Sequence, residues 1–222
     1  MGKELKLVID WSEAWALFIP LIALLFAGKQ PLFLKPVIIY LIIALFINLI
    51  GDIIGDFKRY LPGWLQSNNP LYNIHSVLRF ACFASFFILL RQPHFSRIKR
   101  ILPLISLVFL VINFLFFENF FNLESLSGNL LTAEAYLLLI YSVLYYLGQL
   151  KDDDDKMSGK PDFWVVTGLS IYVVINFFVF LFYAPMLTTN GQLLDKMWSV
   201  HNVAYVILCI CIAKAFYAPT SN

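Results

Sequence analysis

Seven stretches of the chain are long and apolar enough to be read as membrane-crossing helices, and little is left over once they are placed. Crossing the hydrocarbon takes about 20 mostly apolar residues in a helix, because each backbone N–H and C=O must be bonded within the segment. The runs fall at roughly 11–28, 32–54, 71–90, 101–117, 129–150, 163–183 and 194–217. The breaks between them carry turn or charge signals: GKQP, LPGWLQSNNP, RQPHFSRIKR, ENFFNLESLSGN, KDDDDKMSGKP and TTNGQLLDK. The expected fold is therefore an all-α membrane protein, a single bundle of seven transmembrane helices over residues 1–222 with no soluble domain.

Composition agrees. Charged residues make up 14% of the chain and mean hydropathy is +0.78, against about 25% charged in a soluble domain. A net charge of +2, without a basic tract interleaved with aromatics, argues against a nucleic-acid partner. Cys82, Cys209 and Cys211 lie in apolar runs; the last two point to different sides of a helix and read as packing residues rather than a disulfide or metal pair. The start, MGKELKLVIDWSEAW, shows no cleavage site, and Lys6 stands where a myristoylation signal wants Ser or Thr.

Orientation follows from Lys and Arg in the short loops. Lys29, Lys35, Arg91, Arg97, Lys99, Arg100, Lys151, Lys156, Lys160 and Lys214 fall on one side, and Lys3, Lys6, Lys58, Arg59 and Lys196 on the other. This bias puts the N-terminus outside and the C-terminus in the cytoplasm, with a bacterial inner membrane as the expected location. Trp11, Trp15, Trp64 and Trp198 near the outer boundary and Trp164 near the inner one form the interfacial belt. KDDDDK reads as a solvated turn; it also matches an enteropeptidase recognition string, so part of that loop is a candidate for a non-native insertion.

Ionisable groups inside spans are costly and usually face the bundle interior. Asn48, Asp52 and Asp56 recur every four residues and form one stripe at the outer end of the second helix, with Gly51 and Gly55 on an adjacent stripe suited to close helix contact. The third helix starts with Tyr72, Asn73, His75, Ser76 and Arg79, and the seventh with Trp198, His201, Asn202 and Tyr205. Glu13, Glu134, Tyr141, Tyr145, Tyr172, Asn176 and Tyr183 complete the set, which is concentrated in the outer half. Asp52 and Asp56 are expected to wall an outward-facing pocket, with Arg79 as their counter-charge. Asp56 equally fits a headgroup-level pair with Lys58 or Arg59, His75 and His201 equally fit interhelical hydrogen bonds, and Glu13 and Glu134 are read first as interfacial.

Other chemistries lack their residues. Three histidines, one of them His94 in a loop, do not make a zinc site, and neither serine-nucleophile nor phosphate- or dinucleotide-binding motifs occur. No cofactor is expected. Lys214, near the inner end of the last helix, suits snorkelling to the interface rather than a retinal Schiff base.

The segments PLYNIHSVLRF, PDFWVVTGLSIYVVINFFVFLF and WSVHNVAYVILCICIAKAFY resemble a group of seven-helix proteins of Bacteroidetes-type bacteria, similar to the membrane sensor halves of some histidine kinases. In that pattern a carboxylate is usual where this chain has Arg79, and a histidine where it has Asn73. Lys35-Pro36 and Gly51-Asp52 also resemble two pairs of the lysoplasmalogenase-like membrane family, where they lie on different helices instead of one. The first resemblance implies a receptor or sensor-like module; the polar groups of the outer half make Asp52, Asp56, His75, Arg79, Glu134, Asn176, Trp198, His201 and Asn202 its expected contacts to a small polar or amphipathic ligand. Its expected partners are membrane lipid, that small-molecule ligand and a separate signalling protein. The second implies an intramembrane lipid hydrolase using Asp52 and Asp56 as acid and base, with His75 beside them. A transporter ranks third, since there is no internal repeat and few polar residues at the midplane.

Overall fold

The structure, a computed structural model, describes residues 3–90, 92, 94–151, 159–189 and 191–218. It is all-helical, with no strand among the described residues. Nine helices follow in order among them: α1 (Lys3–Asp10), α2 (Ser12–Trp15), α3 (Phe18–Phe26), α4 (Lys35–Phe57), α5 (Asn69–Leu89), α6 (Ser96–Phe116), α7 (Gly128–Lys151), α8 (Pro161–Thr189) and α9 (Gly191–Tyr217). Six are long and apolar enough to cross a membrane: α4 through α9.

The first expected span, 11–28, is the exception. Pro20 has no N–H to return to the carbonyl four residues back. The chain turns at Ala16 and Leu17, where the Ile19 amide bonds the Ala16 carbonyl and the Leu21 amide the Leu17 carbonyl. The apolar stretch Ser12–Phe26 is thus about 22 Å long, short of the roughly 30 Å hydrocarbon layer. Pro36, Pro70 and Pro161 sit in the first turns of α4, α5 and α8, where a missing N–H costs nothing, whereas Pro103 lies inside α6.

α8 packs between α7 and α9, α9 against α3, α7 against α5, and α5 against α4; α2, touching both α4 and α9, closes the ring. α6 stands outside it against α5 and α7, and only 17% of its apolar window is covered. The interior holds Tyr40, Tyr141, Tyr145, Tyr172, Tyr205, Phe83, Phe86 and Phe87, all nearly inaccessible.

Close approach is concentrated at α8 and α9. A Cβ on Gly168 would come 2.5 Å from the Cys211 Cβ, so only glycine fits. The expected contact stripe on α4 is not used that way: Gly51 faces only the Asn68 side chain at 3.9 Å, and Gly55 has nothing within 4 Å. Gly168→Ala should therefore destabilise the bundle by about 1–3 kcal/mol, while Gly55→Ala stays within about 0.5 kcal/mol. Unfolding in mixed detergent micelles measures both, and Cys211→Gly should relieve the first.

Candidate functional site

The polar residues meet at the end of the bundle where α1 lies, in a network built around two buried ion pairs. Arg79 on α5 donates from Nε to Glu134 Oε1 (2.5 Å) and from one terminal nitrogen to Oε2 (2.7 Å). Its other terminal nitrogen donates to the Tyr172 hydroxyl at 2.6 Å. Ser76, one turn before Arg79, donates to Glu134 Oε2 at 2.6 Å. Arg79 and Glu134 are about 5% exposed, so each charge depends on the other.

The second pair joins α2 to α9. His201 Nε2 lies 2.5 Å from Glu13 Oε1, and the other carboxylate oxygen accepts the Tyr72 hydroxyl at 3.0 Å. Nδ1 of the same ring meets Asn176 Oδ1. An amide oxygen can only accept, so Nδ1 is the donor in that bond. Asn176 donates onward to the Tyr172 carbonyl at 2.8 Å. The two pairs are therefore linked through α8.

Around them, Asn48 donates to the Glu13 carbonyl at 2.8 Å and Asn202 to the Ile9 carbonyl at 2.9 Å, fixing α2 and α1 to the bundle. The His75 ring stacks on Tyr40 (centroids 5.8 Å apart), and its Nε2 is buried without a partner among the described residues. Asn73 donates to the Phe120 carbonyl at 2.7 Å.

Asp52 and Asp56 do not pair with Arg79 as expected. Asp52 is half-buried with one oxygen unpartnered among the described residues, and Asp56 is exposed. The reason is depth: His75, one turn before Arg79, stacks on Tyr40 of α4, and Asp52 and Asp56 lie more than three turns further along that helix, whereas Glu134 and Tyr172 are within reach of the guanidinium. Glu134, Asn176, Trp198, His201 and Asn202 do converge with His75 and Arg79. Glu13, Tyr72, Ser76 and Tyr172 complete the network. Their signal in the sequence was a carboxylate or hydroxyl in an apolar segment, which an interfacial position explains equally well.

The other end of the bundle is not as poor in polar groups as expected. Lys99, read from sequence as a loop charge, is 2% exposed in the first turn of α6. It donates to Gln92 Oε1 at 2.7 Å, while Tyr141 donates to the Lys99 carbonyl and Tyr145 to Asp162. Lys214 lies over the Trp164 ring at 5.7 Å. Asp152 to Lys156 of the acidic loop, Arg91 and the Trp64 side chain lie outside the described residues.

Above the network an open cleft of about 310 Å³ is lined by Asn68, Asn69, Tyr72, Leu126, Tyr183, Leu194, Asp195 and Trp198. Tyr72 and Trp198, edge to face with centroids 6.0 Å apart, form its floor. Beneath them Glu13, His75, Arg79 and His201 line a void of about 10 Å³, the size of one water molecule. Trp198 stacks on the His201 ring at 4.9 Å. At the rim Lys6 bonds Asp195 at 3.0 Å; the hydrogen bond and charge of Asp195 raise the ammonium above its ordinary range, though so exposed a pair adds little and is screened by salt.

Fold and site together define a multi-pass helical membrane protein with a buried acid–base network at one end. Set against known proteins, the chain matches no family model, no curated protein and no solved structure. No group of three or more His, Cys, Asp or Glu able to hold a metal occurs among the described residues.

Removing one partner of a buried ion pair leaves the other charge uncompensated. Glu134→Gln should cost about 3–5 kcal/mol, while Arg79→Met combined with Glu134→Leu recovers most of that loss. Detergent unfolding curves of the three proteins decide this.

Proposed function

We propose that the chain is a receptor or sensor-like module of a bacterial inner membrane that binds a small polar or amphipathic ligand from outside. In this reading Ser12–Phe26 is a seventh, short crossing and the N-terminus is extracytoplasmic, as the Lys and Arg bias favours. The cleft then faces outward. The observation that carries the reading is its floor: Tyr72 donates to Glu13 and Trp198 stacks on His201, so a ligand in the cleft presses on the residues that hold a buried ion pair.

From there a continuous path leads inward. His201 holds Asn176, Asn176 holds the Tyr172 backbone, and the Tyr172 hydroxyl holds Arg79 against Glu134. A ligand that prefers one packing of α5, α8 and α9 over another shifts the population of that packing, and a separate signalling protein on the cytoplasmic side reads it. The hydrolase alternative needs Asp52 and Asp56 to act together on one substrate. An exposed Asp56 and a half-buried Asp52, neither of them lining the cleft or the void, support the receptor reading instead.

A thermal-stability screen of the purified protein with amino acids, amines and sugars tests the proposal. At least one class should raise the unfolding temperature without being consumed, and Trp198→Ala should abolish the effect. A lipid panel that yields product, lost in Asp52→Asn with the fold intact, replaces the receptor with the hydrolase. For orientation, an impermeant thiol reagent on whole cells should label Lys196→Cys and spare Lys29→Cys.

A further inference from the structure

A second, larger cavity adjoins the cleft, sharing Leu126 and Tyr183 with it. It is a side pocket of about 720 Å³ between α6, α7 and α8, within the range of small-molecule sites. Phe109, Phe177 and Phe180 supply apolar wall, and Glu118 and Thr132 its polar part. It opens sideways: Tyr136 and Leu181 at its mouth are 53% and 45% exposed on the lipid-facing surface, beside the poorly covered α6.

Among the described residues, Glu118 is the single charged one lining this pocket. One of its oxygens accepts the Asn129 amide at 2.9 Å and the other the Asn113 side chain at 2.7 Å. Each oxygen keeps a further lone pair for a head-group donor. An anionic head would meet a carboxylate with no lining cation beside it. In the first turn of α7 the Asn129 amide is already taken by Glu118. The bilayer supplies molecules with one apolar tail and one polar head directly to a sideways opening.

We propose that this pocket is a binding site for a single-chain membrane lipid whose head group donates hydrogen bonds and carries no negative charge, a monoacylglycerol-type molecule. The site shares Leu126 and Tyr183 with the cleft but does not rest on the receptor reading, which its failure would leave untouched. Phe180 also lines the void beneath Trp198 and lies 5.5 Å from the His201 ring, so the lipid would brace the same network from the side.

The test compares 1-oleoylglycerol with 1-oleoyl-lysophosphatidate, which share a tail and differ by a phosphate, on delipidated full-length protein by native mass spectrometry. The neutral lipid should bind about tenfold or more tightly than the anionic one, and Glu118→Gln should narrow that gap by strengthening the anionic lipid. On the wild-type protein, a monoacylglycerol with a photoreactive tail should label the stretches 109–136 and 177–183. Equal or tighter binding of the phosphate, an unchanged gap in a folded Glu118→Gln, or labelling confined to other helices overturns the proposal. If Glu118→Gln does not fold, the wild-type preference and labelling decide alone.

Discussion

An arginine buried two turns inside an apolar bundle cannot shed its proton, so the structure around it has to supply a matching negative charge and enough acceptors. Arg79 obtains both from Glu134 and Tyr172. That demand fixes the rotation of three helices at once: α5 to present the guanidinium, α7 to present the carboxylate, α8 to present the hydroxyl. Lipid-facing helices otherwise gain little from choosing one rotation over another, because tails are as apolar as side chains. The ion pair makes the choice.

Glu13 and His201 do the same for the chain's beginning. α2 is a single turn and α3 has only nine residues, so neither has the length to hold a place by hydrophobicity alone. A carboxylate bridging His201 and Tyr72, with Asn48 and Asn202 bonding the neighbouring backbone, anchors this segment to α4, α5 and α9. The arrangement thus closes the ring and sets the floor of the cleft in one step.

Six of the helices were legible from hydropathy alone, since runs of apolar residues bounded by Pro, Gly and charge leave few alternatives. The first stretch was read on the same footing, but its apolar helix, Ser12–Phe26, is shorter than the other six, and composition does not register the hydrogen bond lost at Pro20. For the site, spacing identified which residues share a face of one helix, and so brought out His75, Arg79 and His201. Spacing says nothing about the rotation of one helix against another. Arg79 was therefore matched with the nearest acids in sequence, Asp52 and Asp56, when its partner is Glu134, fifty-five residues on. Lys99 was hidden for a related reason: a basic residue at a helix start reads as loop until neighbouring helices are seen to cover it.

The proline break in the first segment has a mechanical consequence. In the proposed reading, where Ser12–Phe26 is the seventh crossing, its length of about 22 Å falls some 8 Å short of an ordinary hydrocarbon layer, and the bilayer would thin or the segment be pulled to meet it, at a fraction of a kcal/mol per ångström. Glu13 stands on that segment. Any change in local membrane thickness accordingly exerts a load along α2 and α3 that ends on the carboxylate held by His201, so hydrophobic mismatch itself becomes a force on the protein's interior.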